Sequence, residues 1–119
     1  MSGYRDLEVF QKAYQFALEI HRLSQDFPDF ERFSLTRQIR ESSKSIAVNI
    51  AEGYGKRILS GKEFKRFLLM SIGSCDETKV WLDFVKDLNY LSSEKYGKLM
   101  NLAEEIGKML YGLWKKVKD

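Results

Sequence analysis

Residues 60–89 read SGKEFKRFLLMSIGSCDETKVWLDFVKDLN, and this stretch decides the fold. It opens on Ser60-Gly61-Lys62-Glu63, an S-x-x-E capping box in which the serine and glutamate side chains satisfy two backbone donors left free at a helix start. Behind it, Phe64, Leu68, Ser71, Cys75, Thr78, Leu82 and Val85 recur at alternating spacings of four and three. That spacing is close to the 3.5-residue period of left-handed helix packing. It predicts a helix reaching Asn89, roughly 42 Å long at 1.5 Å per residue.

The flanking segments carry the same kind of signal. Upstream, Ser34 is placed to cap a helix whose inner face reads Leu35, Ile39, Ser42, Ile46, Ile50 and Gly53. Ser42, Ser43, Ser45, Ala47 and Ala51 crowd this segment with small side chains, which let a neighbouring backbone approach closely. Glycines at 53, 55 and 61 predict a loop from Gly53 to Gly61. Further upstream, Asp6 precedes Leu7, Phe10, Tyr14, Ala17, Ile20 and Ser24, a helical face that runs to about Asp26, before Phe27-Pro28-Asp29 ends it. Downstream, Asn89-Tyr90-Leu91 breaks the third helix. Ser92 or Ser93 then caps a fourth, with Leu99, Leu102, Ile106, Met109, Leu110, Leu113 and Val117 inward and an end near Asp119. Short connections make successive helices antiparallel neighbours, so the expected architecture is all-α, an up-down-up-down four-helix bundle spanning residues 1–119 as a single domain.

Composition agrees with that expectation and narrows the function. An apolar fraction of 44%, a charged fraction of 31% and a single proline suit a helical domain that buries one core. No run of about 18 apolar residues is present to cross a bilayer, and the opening Met-Ser-Gly-Tyr-Arg-Asp lacks the apolar stretch of a secretory leader. One cysteine, Cys75, allows no intrachain disulfide, so the reading is a cytoplasmic protein without membrane contact.

Catalysis needs convergent titratable groups, and the sequence offers few. His21 is the one histidine and reads as a boundary residue of the first helix; with no Glu-x-x-His pair, no di-iron site of the bundle type is encoded. Cys75 falls on the inner face between Ser71 and Thr78, the place of a small hydrophobe rather than a nucleophile. The glycine-containing stretches lack the order of a phosphate-binding P-loop. The expectation is therefore no enzyme activity, no metal and no cofactor.

Charge is the feature that points outward. Residues 1–31 carry three basic and six acidic side chains, residues 32–66 nine and three, and residues 67–119 eight and eight. Within the basic quarter, Arg37, Arg40 and Lys44 share a helical stripe, Lys56 and Arg57 follow in the predicted loop, and Lys62, Lys65 and Arg66 open the third helix. Gathered near one end of the bundle, these eight form a surface suited to phosphate backbones. The opposing view is an ordinary solvated face partly neutralised by Glu41, Glu52 and Glu63. A second class of function, a protein-interaction scaffold, is suggested by aromatics beyond the needs of one seam: Trp81 and Phe84, Tyr111 and Trp114.

The string Ser45-Ile46-Ala47-Val48-Asn49-Ile50-Ala51-Glu52-Gly53, preceded by Gln38-Ile39-Arg40, resembles the signature of the four-helix-bundle proteins found in intervening sequences of bacterial 23S ribosomal RNA genes. Tyr4-Arg5-Asp6-Leu7, Phe27-Pro28 with Glu31, and Gly73-Ser74 followed by Glu77 extend the match over nearly the whole chain. The resemblance implies a four-helix bundle, assembly as a homo-oligomer, often a pentamer, no enzyme activity and a function largely uncharacterised. A distant similarity to the accessory protein of diversity-generating retroelements implies contact with a reverse transcriptase and nucleic acid, though no residue of this chain matches that protein's binding surface. Within the motif, Asn49 and Glu52 are polar residues on an apolar helix. Their expected role is an interhelical network with Arg40 or Ser74, the alternative being a partner surface.

Overall fold

The computed structural model describes residues 3–119; Met1 and Ser2, part of the opening read above as lacking a secretory leader, lie outside the described residues. Helix α1 spans Glu8–Leu23, α2 Leu35–Lys56, α3 Gly61–Asp87 and α4 Ser93–Lys116. Single 3-10 turns at Tyr4–Asp6, Ser24–Asp26 and Asp29–Glu31 lead into α1 and join it to α2. Each helix packs on its chain neighbours, and α1 closes the ring against α4, giving an up-down-up-down bundle of 44 × 25 × 24 Å.

The tightest pair is α2 and α3. Ser71 Oγ donates to the Ile46 carbonyl at 2.7 Å, Ser74 Oγ to Ser45 Oγ at 2.9 Å, and Thr78 Oγ1 lies 2.9 Å from Ser42 Oγ. Numbers rising on α3 against numbers falling on α2 fix the antiparallel register. Thr78 Oγ1 also lies 2.8 Å from the Ser74 carbonyl, so its one proton is shared between that carbonyl and Ser42 Oγ, while Ser42 Oγ donates to the Ile39 carbonyl at 3.4 Å. Each satisfied hydroxyl contributes about 1 kcal/mol, and the same group left unpaired would cost more than that.

Gly53 marks the end of this seam. It lies inside α2, which continues to Lys56 and confines the loop to Arg57–Ser60, shorter than the Gly53–Gly61 loop read from the glycines. A Cβ at Gly53 would stand 2.6 Å from the Cβ of Phe67, so the glycine admits α3 rather than breaking α2.

Capping follows the sequence signals in part. Ser60 Oγ accepts from the Glu63 N–H at 3.1 Å, but the Glu63 carboxylate turns to Arg66 instead of completing the box. Ser92 caps α4 through the Lys95 N–H at 3.2 Å, whereas Ser34 precedes α2 without a side-chain cap bond. At the far end of α3, Asn89 takes a left-handed φ of 65°. The Tyr90 N–H bonds the Val85 carbonyl and the Asn89 N–H that of Lys86, both at 2.9 Å, the paired bonds of a Schellman stop. Tyr90 then donates its hydroxyl to Glu31 at 2.8 Å and packs beside Phe27, tying the α3–α4 corner to the α1–α2 connection.

The inner faces of α2 and α3 are buried at every position expected. On α4, Leu99, Ile106 and Leu110 are buried with Ala103, while Leu102, Met109 and Leu113 are partly so; the helix ends at Lys116, short of the expected Asp119, and Val117 is partly buried just beyond it. Helix α1 differs: Val9, Ala13, Phe16, Ala17 and Ile20 face the core, and Tyr14, read as inward, is 49% exposed. The expected face was displaced by about a residue because α1 carries two adjacent apolar stripes, and the one with Ala13 and Phe16 fits the space beneath α2.

Two alanine substitutions separate close packing from helix propensity. Gly53→Ala is expected to destabilise the protein by about 1–3 kcal/mol through overpacking against Phe67. Gly55→Ala, with nothing within 4 Å, should stabilise it by about 0.5–1 kcal/mol. Urea unfolding followed by circular dichroism reads both, and equal effects would refute the close-approach role. At Asn89, valine should cost about 1–2 kcal/mol relative to glycine in the same assay, since a β-branched residue resists positive φ.

Candidate functional site

The eight basic residues do not form one surface. Arg37 and Lys56 stand 19 residues apart on α2, about 28 Å along its axis. Arg37 is exposed, with its guanidinium 5.4 Å from the Phe33 ring. Arg40 is half-buried and donates to Ser24 Oγ at 2.6 Å, which pins the end of α1 to α2. Lys44 lies along the side of the bundle next to His21.

What the short α2–α3 loop does bring together is a cationic corner of Lys56, Arg57, Lys62, Lys65 and Arg66. Arg57 sits 3.7 Å from the centre of the Tyr54 ring and donates to the Tyr54 carbonyl. Lys65 pairs with Asp119 at 3.3 Å, and Arg66 holds Glu63 at 3.1 Å. The Arg66 hydrogen bond, with Lys56 nearby, keeps the Glu63 carboxyl below its usual range. Among the described residues, Lys56, Arg57 and Lys62 have no ion-pair partner, and all three are exposed.

A second feature was missed by the sequence reading: a groove of about 560 Å³ between α1 and α2. Tyr4, Phe10, Tyr14, Leu18, Val48 and Ala51 line it, with Lys44 and His21 towards one end and Glu52 towards the other. Tyr14 and Val48 are 49% and 52% exposed along it. The available signal was the second apolar stripe of α1, Phe10, Tyr14 and Leu18, beside Ala47, Val48 and Ala51 of α2. Burial, Arg40 and Lys44 push the His21 pKa down, so this boundary histidine is neutral near pH 7.

The motif residues divide between packing and surface. Asn49 Nδ2 donates to the Ser45 carbonyl and to Ser45 Oγ, each at 2.9 Å, and Ser45 Oγ accepts in turn from Ser74. Asn49 thus joins the α2–α3 seam through Ser45, and Arg40, engaged with Ser24, takes no part. Glu52 is exposed and lines the groove rather than entering that network. Glu77 accepts the Trp81 indole N–H at 3.0 Å, and Gly73 is exposed with no packing neighbour. Of the other aromatics, Phe84 and Tyr111 are more than half exposed, and Tyr111 stacks on the partly buried Trp114.

The family model described as 23S rRNA-intervening sequence protein matches residues 5–112. The chain belongs to this family. It is also similar to a crystal structure from Bacteroides thetaiotaomicron, described as a protein with unknown function from the S23 ribosomal protein family. The two share 28% identity and a TM-score of 0.81 over 91% of this chain and 99% of that one. None of the curated proteins compared matches the chain. The matched region takes in the whole α2–α3 seam and the cationic corner. No helix among the described residues is long and apolar enough to cross a membrane, and no group of His, Cys, Asp and Glu among them is arranged to hold a metal ion.

Cys75 is fully buried, with its thiol donating to the Ala103 carbonyl at 3.2 Å. Burial pushes its pKa from 9.0 to about 11. Above pH 9 the unfolded chain releases this proton and the native one does not, so stability should fall as pH rises from about 9 to 11. The slope contributed by this group is at most about 1.4 kcal/mol per pH unit. Comparing wild type with Cys75→Ala in urea unfolding at pH 8 and pH 10.5 isolates it; parallel pH profiles would refute the shift.

Proposed function

We propose that this family member is a non-enzymatic, self-associating bundle that binds the phosphate backbone of RNA or DNA through its cationic corner. The observation that carries the reading is the trio Lys56, Arg57 and Lys62, exposed and unpaired at a corner that Arg66 extends. Lys62 sits in the first turn of α3, where the helix dipole disfavours a cation by a few tenths of a kcal/mol. Stability does not explain that placement, and contact with an anion would offset its cost. The family name records a position in ribosomal RNA genes rather than a ligand, so charge supports the reading and the name does not. A net charge of +3 gives one subunit modest affinity, and repetition of the corner in a symmetric assembly, five-fold as the resemblance implies, supplies avidity.

The second reading, a scaffold for a protein partner, is favoured by the groove. Its aromatic and aliphatic lining is exposed on a monomer, where an apolar surface of this kind marks a contact site. The same groove is the natural place for subunits to meet, and the two uses are separable by experiment.

Fluorescence anisotropy with labelled RNA and duplex DNA across a salt series tests the first reading. Three phosphate contacts predict a log–log slope of about −2 to −3. Reversing Lys56, Arg57 and Lys62 to glutamate should flatten that slope and weaken binding more than tenfold at low salt, while Arg37→Glu with Lys44→Glu has the smaller effect. Absence of binding at low salt would end the nucleic-acid reading. For the groove, Val48→Asp with Tyr14→Asp should reduce the mass seen by light scattering while leaving the helical spectrum intact. An unchanged mass would exclude the groove as the place where subunits meet.

A further inference from the structure

Beyond α4, the chain turns back over the start of α3. Val117 leaves the helix in an extended conformation, and its side chain together with the backbone of Lys118 lies against Gly61. A Cβ at Gly61 would run into the Lys118 carbonyl oxygen, so this contact exists because position 61 is glycine. The turn carries Asp119 onto Lys65, whose ammonium also lies 4.4 Å from the centre of the Trp114 ring. Ser60, Lys62, Lys65, Arg66 and Trp114 surround a recess of about 380 Å³ there, with Glu63 and Asp119 as its acids. Glu63 is held by Arg66, which leaves Asp119 as the carboxylate set against the lysines. The Trp114 indole N–H is buried without an acceptor.

An ion pair with one partner 73% exposed adds little to stability, and glycine is a poor helix former at the first position of α3. What the segment adds at this corner, beyond the packing of Val117 against the core, is therefore charge. We propose that residues 117–119 are an internal competitor, the Asp119 carboxylate occupying at Lys65 the place that a nucleic-acid phosphate takes in the complex. When the segment lifts from Gly61, Lys62 and Lys65 lie open together and the corner gains a further phosphate contact. This rests on the nucleic-acid reading above and names how that site is regulated.

The test uses the full chain and a fluorescein-labelled single-stranded RNA of about 20 nucleotides. Asp119→Asn is compared with Asp87→Asn, which removes the same charge at the opposite end of α3, about 39 Å away. At 0.1 M salt a charge that distant is screened, so Asp119→Asn should tighten binding by about two- to five-fold while Asp87→Asn leaves it unchanged. The salt slope should steepen by nearly one for the added contact. Gly61→Ala, which cannot keep the segment in place, should act in the same direction, with circular dichroism verifying that it folds. In nitrogen–proton NMR, the Trp114 indole signal should move in Asp119→Asn towards its position in wild type saturated with RNA.

Equal effects of the two Asp substitutions, or a Trp114 signal unmoved by RNA that binds with normal salt dependence, would overturn the competitor and leave the nucleic-acid reading standing. No binding by wild type, Asp119→Asn and Gly61→Ala at low salt would remove both.

Discussion

The rest of the structure depends on the close approach of α2 to α3. Gly53 against Phe67 closes one end of that contact, and Ser42, Ser45, Ser71, Ser74 and Thr78 run through it as a ladder of hydroxyls. Small side chains bury little apolar area individually, so the seam gains its strength from dense packing and from hydrogen bonds made away from water. The larger residues, Ile39, Ile46, Ile50, Leu68, Leu82 and Val85, project into the bundle and meet α1 and α4. A rigid, narrow pair thus carries the core on one side, and α1 and α4 are laid onto it.

That arrangement places the surfaces available for function. With α2 continuing to Lys56 and α3 beginning at Gly61, the connection is too short to separate the cations on either side of it. That short connection, with basic residues on both sides of it, is the cause of the charge density at the corner. On the opposite flank of α2, Ala47 and Ala51 are small, and α1 cannot cover Val48 while also turning Phe16 into the core. The groove is what remains between a helix with two apolar stripes and a partner with one.

Helix number, order and the inner faces of α2 and α3 were legible because their apolar and hydroxyl positions keep a strict spacing, from Leu35 to Gly53 and from Phe64 to Val85. Three features resisted for identifiable reasons. The glycine signal at residues 53–61 reads as a loop, since composition does not distinguish a glycine that frees the backbone from one that admits a neighbouring helix. Helix α1 offers two stripes of similar hydrophobicity, and only packing chooses between Phe16 and Tyr14. The basic quarter looks continuous in sequence, but 19 residues of helix separate Arg37 from Lys56 and put them at different ends of α2. Proximity along a helix is proximity in space for one or two turns and no further.

The corner and the groove share no residue, so one can be occupied without covering the other. The groove runs along the flank, from Tyr4 and Glu52 to His21 and Lys44, whereas the corner is at the end of α2 and the start of α3. A partner in the groove leaves the corner facing solvent. Glu52 is the nearest link, one helical turn before Lys56, where an acid followed by a base at this spacing attracts by only about 0.2–0.5 kcal/mol. Coupling that weak leaves the two surfaces nearly independent, so a substitution in one should leave the other's electrostatics and packing unchanged.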